Sequence, residues 1–183
     1  MYEVEVKVRA DHERVREALA GTDATRVERV VQEDTYYSAP DRDFADTDEA
    51  LRIRLERSDE ERDARVTYKG PLVESESKTR EEFETGVDDG AAMGNILERL
   101  GYDPVATVKK ERERYEYSGY EVVLDAVDDL GEFVEVETEA PASSLETERA
   151  GAIEILERLG LDPGDQIRTS YLELLLDATA EER

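Results

Sequence analysis

Alternation between charged and apolar side chains is the sequence feature that most limits how this chain can fold. In the segment Leu51-Arg52-Ile53-Arg54-Leu55, every second residue is apolar and both residues between them are arginines. Successive side chains of a β-strand point to opposite faces, so such a segment forms a strand with one apolar and one charged face. Together with the turn signals between most segments, the pattern predicts eight strands. They lie near residues 2–9, 26–38, 50–57, 64–70, 77–87, 104–117, 120–126 and 131–139.

Three predicted helices interrupt these strands. They cover about residues 12–20, 89–100 and 144–159, and each is followed by a glycine, the residue most often found just after a helix end. A last apolar segment, residues 171–176, fits either a short helix or a closing strand. The fold class is therefore α+β and mainly β, and the whole chain, residues 1–183, has the length of a single domain.

The charged faces of the strands allow two interpretations. In an ordinary sandwich of sheets they would point to water. In a closed barrel of about eight strands they could instead line the interior, with the apolar faces packed under the helices. The faces carry both signs, with Arg52 and Arg54 on one strand and Glu135 and Glu137 on another. An interior of this kind would bind a polyanion together with its metal ions.

The N-terminal segment carries the most specific pattern. Glu3, Glu5 and Lys7 alternate with apolar residues and therefore share one face of the first strand. Two carboxylates beside an ammonium can hold a divalent cation and a phosphate together. The alternative interpretation of these residues alone is a half-exposed amphipathic strand, which many proteins contain.

The charge balance excludes some classes of partner. The formal net charge is −25, with 49 acidic residues against 24 basic ones. A surface this negative repels nucleic acid and anionic membranes, so neither is expected as a partner. The acidic excess also suits a salt-rich solvent, where screening shortens the reach of self-repulsion. Together with the scarcity of lysine, it resembles the composition of proteins from halophiles that accumulate salt.

The few lysines are informative because the chain has 19 arginines and only five lysines. Lysine offers a compact point charge, whereas arginine offers a planar fork. The retained lysines therefore indicate positions that need a compact point charge. They are Lys7, Lys69, Lys78, Lys109 and Lys110. Of these, Lys78 is interpreted as retained by chance. His12, the only histidine, is interpreted as a surface residue near a helix start.

Other features of the composition point to a cytoplasmic protein. The chain has no cysteine, which excludes disulfides, thiol catalysis and cysteine metal sites. No apolar run approaches the roughly 20 residues of a membrane span. The N-terminus shows neither the basic region nor the apolar stretch of a signal peptide.

An ordered set of short motifs extends over nearly the whole chain. They are Glu3-x-Glu5-x-Lys7, Gln32 to Tyr37, Leu51 to Arg54, Thr67 to Gly70, Arg80 to Glu84, Lys109 to Arg112, Leu124-Asp125, Leu130 to Glu137, and Ser170 to Leu175. Each motif is weak alone, but their order is specific. The chain resembles the CYTH family, also called triphosphate tunnel metalloenzymes, and most of all its CyaB-type class IV adenylyl cyclases.

The resemblance implies a fold and a set of site residues. The fold is an eight-stranded antiparallel closed tunnel barrel with flanking helices. The implied triphosphate-binding residues are Lys7, Arg52, Arg54, Lys69, Arg80, Lys110 and Arg112. The implied ligands of Mg²⁺ or Mn²⁺ are Glu3, Glu5, Asp125, Glu135 and Glu137, since hard cations prefer carboxylate oxygens. Direct catalytic roles fall to Glu5, Lys7 and Lys69. Glu82 and Glu84 either support the metal ligands from behind or hold arginine pairs in place, and the second role is preferred.

The resemblance leaves the reaction open. Hydrolysis of an inorganic or organic triphosphate is preferred, because it needs no adenosine pocket. The alternative is a class IV adenylyl cyclase that forms cyclic AMP and pyrophosphate from ATP. A non-catalytic triphosphate- or nucleotide-binding module is a further alternative. The expected ligand is tripolyphosphate, ATP or thiamine triphosphate, and a homodimer is common in the families that the chain resembles. With no evident catalytic histidine, proton removal falls to a water at the metal site or to a lysine–tyrosine pair.

Overall fold

The structure, a computed structural model, describes residues 1–59, 61–73 and 78–181, without the side chain of Glu181. Residue 77, the predicted start of the fifth strand, lies outside these ranges. The strands are β1 Tyr2–Arg9, β2 Thr25–Ser38, β3 Ala50–Arg57, β4 Arg62–Lys69, β5 Lys78–Gly86, β6 Asp103–Tyr117, β7 Tyr120–Val127 and β8 Gly131–Ala140. The α-helices are α1 His12–Ala20, α2 Gly90–Arg99, α3 Leu145–Arg158 and α4 Tyr171–Glu181, and short 3₁₀ helices cover Phe44–Asp46 and Pro163–Asp165.

The strands form a closed barrel in the order β1-β5-β4-β3-β2-β6-β7-β8. All neighbouring pairs are antiparallel, and the pairing of β1 with both β5 and β8 closes the sheet. The prediction of an eight-stranded antiparallel barrel is therefore confirmed for the described residues. No helix in these ranges has the length and apolarity needed to cross a bilayer.

The apolar faces of the strands point outward, and helices cover much of them. Val6 and Val8 of β1 are almost completely buried, in one cluster with Val15 of α1 and with Ile155 and Leu156 of α3. The helices thus supply the hydrophobic cover that an outward apolar face requires. The interpretation of the charged faces as solvated is wrong, because charged residues of these faces line the interior of the barrel.

The last apolar segment is a helix, and its own sequence explains why. The Ser170 hydroxyl accepts from the backbone N–H of Glu173 at 3.1 Å, and the Glu173 carboxylate accepts from the backbone N–H of Ser170 at 2.8 Å. This reciprocal pair is a capping box, which satisfies two donors at a helix start. It fixes the position of Tyr171, the first residue of α4, against the barrel.

His12 differs from its predicted surface position. Its side chain is 3% exposed, and Nε2 lies 2.9 Å from the carbonyl oxygen of Phe133. The carbonyl can only accept, so Nε2 carries the proton in this contact. The ring therefore attaches the start of α1 to β8. The position of His12 near a helix start in the sequence did not indicate this contact.

Candidate active site

The strand register sets opposite charges side by side inside the barrel. Glu135 of β8 lies opposite Lys7 of β1, and Asp34 of β2 lies opposite Arg54 of β3. Directly opposed side chains on one face have Cβ atoms about 4.5–5.5 Å apart, within reach of an ion pair. Ion pairing of this kind offsets the large desolvation cost of burying charges.

Asp34 holds one pair of arginines. Its two carboxylate oxygens accept from Nε and from a terminal nitrogen of Arg54, both at 2.7 Å, and Arg52 approaches at 3.5 Å. The Asp34 side chain is 1% exposed. Burial opposes its ionisation, but Arg54 and Arg52 outweigh this effect and keep the pKa of Asp34 well below its usual range. Asp34 is therefore a fixed anion that orients two guanidinium groups.

Asp125 of β7 orients a second group of cations, on the neighbouring strand β6. It accepts from Arg112 Nε at 2.7 Å and from a terminal nitrogen of Arg112 at 2.6 Å, while Lys110 lies 3.2 Å away. The Tyr171 hydroxyl donates to the same carboxylate at 3.1 Å. Asp125 is completely buried behind these side chains. Its oxygens are thus engaged by cations and a hydroxyl.

The negative charge around Lys110 does not offset the burial of its ammonium group. Burial, reinforced by the neighbouring Arg112, lowers the pKa of the Lys110 ammonium to about 8 even though Asp125 is close. In addition, Arg52 Nε is buried without a hydrogen-bond partner among the described residues. Buried polar groups are nearly always satisfied, so an unpaired donor in a cavity wall indicates a place for an acceptor from a ligand.

The N-terminal motif lies beside these cations. Lys7 Nζ is 3.4 Å from Glu5 and 3.5 Å from Glu135. Lys69 contacts Glu3 and lies 2.8 Å from Glu82. Burial disfavours the Lys69 ammonium, yet Glu3 and Glu82 outweigh this and raise its pKa. Each lysine is therefore a charged donor held between two carboxylates.

Three carboxylates come together at one point of the cavity. One oxygen each from Glu3, Glu5 and Glu137 lie within 4.8 Å of one another. Burial, followed by repulsion from Glu3 and Glu135 and opposed by Arg112, raises the pKa of Glu137 to about 8. A cation would stabilise the charged form of Glu137 against this repulsion, and three carboxylate oxygens suit Mg²⁺ or Mn²⁺. The residues present therefore fit such an ion.

Eleven of the twelve predicted site residues line one cavity of about 1500 Å³. They are Glu3, Glu5, Lys7, Arg52, Arg54, Lys69, Arg80, Lys110, Arg112, Glu135 and Glu137. The twelfth, Asp125, lies directly behind Arg112 and Lys110. Within the metal set, the structure groups Glu3, Glu5 and Glu137, whereas Asp125 and Glu135 accept from Arg112.

Sequence reasoning missed four residues of the site. Asp34 stood in a quoted motif without a role, and its place opposite Arg54 follows only from the register. Tyr171 was likewise quoted without a role in the barrel, although the capping spacing of Ser170 and Glu173 was a signal for it. Lys78 is not a chance surface residue, because it is 5% exposed and lines the cavity. Asp48 reaches the site from a loop, and no sequence pattern indicated that it would lie there.

The two glutamates of β5 were expected to hold arginine pairs. Glu84 accepts from Arg65 at 3.1 Å and from the Thr67 hydroxyl at 2.8 Å, so it holds one arginine. Glu82 instead pairs with Lys69. The expectation is met in part for Glu84 and is wrong for Glu82.

Comparison with known proteins agrees with the fold. The family model described as "CYTH domain" matches residues 1–171. A curated protein of Methanocaldococcus jannaschii, named "Putative adenylate cyclase MJ0240", is 40% identical over 176 residues, which is 95% of this chain and 98% of the relative.

Two solved archaeal structures are also similar. The PH1819 protein of Pyrococcus horikoshii OT3 has a TM-score of 0.90 and 38% identity, and the alignment covers 96% of this chain and 99% of that one. The protein Pfu-838710-001 of Pyrococcus furiosus has a TM-score of 0.81 and 27% identity, with coverage of 94% and 99%. With the family model matched along nearly all of its length, this chain belongs to the CYTH domain family.

Proposed function

We propose that the protein is a hydrolase that cleaves inorganic or organic triphosphates with the help of Mg²⁺ or Mn²⁺. One observation carries the proposal: a single cavity joins a wall of buried cations to a group of three carboxylates, and a buried donor of Arg52 in that wall has no partner among the described residues. A triphosphate supplies what this cavity lacks, namely several oxygen acceptors and a metal-binding anion.

Two groups of cations would bind the phosphate chain. Arg52 and Arg54 present their guanidinium groups from one wall, oriented by Asp34. Arg112 and Lys110 do so from β6, two strands further along the barrel, oriented by Asp125. Guanidinium forks match phosphate oxygens two at a time, and ammonium groups add point charge. A phosphate chain that contacts both groups of cations would therefore be held in a fixed direction.

The N-terminal motif, together with Lys69 and Glu137, would act at the reacting phosphorus. Glu3, Glu5 and Glu137 would hold the metal ion, which when bound neutralises phosphoryl charge and orients the groups around phosphorus. Lys7 and Lys69, each charged and in contact with one of these glutamates, would donate hydrogen bonds to phosphoryl oxygens. Phosphoryl transfer depends mostly on such positioning and charge stabilisation.

Tyr171 serves as a donor and not as a proton acceptor. Burial, with Asp125 and Glu135 adding to it, raises the pKa of its phenol well above the usual value. The hydroxyl stays neutral at ordinary pH and donates to Asp125. Of the two routes for proton removal, a water at the metal site is therefore preferred over a lysine–tyrosine pair.

A class IV adenylyl cyclase is the second candidate. It is favoured by the name of the M. jannaschii relative at 40% identity, and the cavity of about 1500 Å³ has room for a nucleoside beside three phosphates. Hydrolysis is preferred because the charged side chains described above would contact only the phosphates and the metal ion. A cyclase also needs contacts that turn the ribose hydroxyl toward the α-phosphorus.

A substrate panel with product identification tests the proposal. Tripolyphosphate, ATP and thiamine triphosphate are each incubated with Mg²⁺, Mn²⁺ or a chelator in molar KCl, and the products are followed by phosphorus NMR. We expect metal-dependent conversion of tripolyphosphate to pyrophosphate and phosphate, at least as fast as any conversion of ATP. Cyclic AMP and pyrophosphate from ATP, with tripolyphosphate untouched, would establish the cyclase instead. Binding of every compound without turnover would indicate a binding module.

A further inference from the structure

Lys78 and Arg80 form a second pair of cations in the cavity wall, and a carboxylate from a loop approaches both of them. They share one face of β5, and both are almost completely buried. In the register with β1, Lys78 lies opposite Glu5 and Arg80 lies opposite Glu3. The pair therefore borders the three-carboxylate group directly. Lys78 has no part in the binding set described so far.

The loop residue Asp48 caps this pair. Its carboxylate lies 3.2 Å from a terminal nitrogen of Arg80 and 3.8 Å from Lys78 Nζ, and its carbonyl oxygen accepts a further hydrogen bond from Arg80. Asp48 has φ +55°, a left-handed conformation that costs free energy for a residue other than glycine. The backbone is thus held in a disfavoured state that places a carboxylate on two buried cations.

The two cations and the Asp48 carboxylate differ in their exposure to solvent. The Asp48 side chain is 28% exposed, while those of Lys78 and Arg80 are 7% and 4% exposed. The cations thus belong to the cavity wall, whereas Asp48 approaches them from the solvent side. Two phosphoryl oxygens of a ligand would accept hydrogen bonds from the same Lys78 and Arg80 donors as the Asp48 carboxylate.

We propose that Lys78 and Arg80 form an anion subsite of the cavity in which Asp48 is an internal counter-ion, and that a phosphate group of the bound substrate replaces Asp48 there. This inference rests on the proposed function, because it takes a triphosphate as the ligand of the cavity. It assigns substrate binding to Lys78, and it makes Asp48 a competitor of the substrate that lowers affinity for anions.

The test compares two loop variants that change the net charge equally. Asp48→Asn removes the competing charge, and asparagine tolerates a positive φ, so the loop conformation is preserved. Asp46→Asn is the matched control, because Asp46 is exposed on the same loop. Calorimetric titration with tripolyphosphate, with the metal concentration and salt held constant, gives the affinities. We expect Asp48→Asn to bind about tenfold more tightly than wild type, the scale of one charge-assisted contact, and Asp46→Asn to bind within about twofold.

Two further variants separate the possible failures. Lys78→Met should weaken binding about tenfold or more, since it removes an ammonium contact. Arg52→Met reports on the proposed triphosphate site itself. Unchanged or weaker binding by folded Asp48→Asn, while Arg52→Met loses affinity, would overturn the counter-ion role and leave the proposed function standing. Absence of tripolyphosphate binding by the wild-type protein would overturn both. If Lys78→Met does not fold, the comparison of the two loop variants decides.

Discussion

The Tyr171 hydroxyl donates a hydrogen bond to Asp125 at 3.1 Å and thereby ties the first turn of α4 to the carboxylate that orients Arg112. The ring of Tyr171 also faces two ammonium groups, with Lys7 Nζ 4.3 Å and Lys110 Nζ 4.9 Å from its centroid. One side chain thus contacts cations of two strands, Lys7 of β1 and Lys110 of β6. The C-terminal helix is therefore a structural part of the site.

Removing the hydroxyl alone should be a mild change. Tyr171→Phe keeps the ring beneath the two lysines and loses one hydrogen bond to a buried anion, so we expect the free energy of unfolding to fall by about 1.5–3 kcal/mol. Denaturant unfolding measures this value. Because the phenol stays neutral below its raised pKa, the shape of the activity profile between pH 7 and 9 should not change. Loss of a titration step in that range would show that the hydroxyl exchanges protons in the reaction.

The carboxylate group should be essential for metal-dependent turnover. Glu5→Gln keeps the shape of the side chain but removes the charge that anchors a hard cation, so we expect at least a hundredfold loss of tripolyphosphate hydrolysis. Glu17→Gln on the exposed face of α1 makes the same chemical change away from the cavity and should be neutral. Activity of Glu5→Gln within about twofold of wild type at saturating Mg²⁺ would mean that the carboxylate is structural.

Arg52 should contribute to binding more than to folding. Its Nε has no partner among the described residues, and Asp34 keeps both hydrogen bonds from Arg54 when Arg52 is replaced. We expect Arg52→Met to weaken tripolyphosphate binding by about 2–5 kcal/mol, the usual effect of losing one partner of a buried charge contact. Calorimetry measures the loss, with Arg29→Met as the control because the Arg29 side chain is 57% exposed and does not line the cavity. Equal affinities for the two variants would contradict the assignment of Arg52.

Asp34 should stabilise the fold in a pH-dependent way. Asp34→Asn leaves two buried arginines without their anion, so we expect a loss of about 3–5 kcal/mol in the free energy of unfolding at pH 7. The folded-state pKa is depressed, so this stabilisation is complete above the unfolded-state value near 4 and declines as the pH falls below it. The difference between wild type and variant should therefore shrink by about 1 kcal/mol between pH 7 and pH 3. A difference that is constant with pH would show that Asp34 does not titrate in this window.

Salt should stabilise the protein as a whole. With a net charge of −25, the folded state is opposed by repulsion among its surface carboxylates, and salt screens this repulsion. We expect the melting temperature to rise steadily from about 0.1 M to 2 M KCl, where the Debye length falls from roughly 10 Å to under 3 Å. Calorimetric scans at several KCl concentrations measure it. A melting temperature that falls with KCl would contradict adaptation to a salt-rich solvent.

The sequence by itself determined the strands, three helices and, through its resemblance to the CYTH family, eleven of the residues that line the cavity. The period of two along Leu51 to Leu55, and its counterparts in the other strands, is a local property that needs no knowledge of the rest of the chain. The motif Glu3-x-Glu5-x-Lys7 likewise places three side chains on one face by spacing alone. The spacing left a sandwich and a closed barrel both possible, and the resemblance to the family implied the barrel.

Only the tertiary structure decided which charges neutralise each other and which remain available to a ligand. Asp34 meets Arg54 because of the register of β2 against β3, and Asp125 meets Tyr171 across 46 positions of sequence. Asp48 reaches Arg80 from a loop, and no strand pattern predicts its left-handed backbone conformation. Ion pairing depends on distances of a few ångströms between segments far apart in sequence, and barrel closure alone fixes those distances.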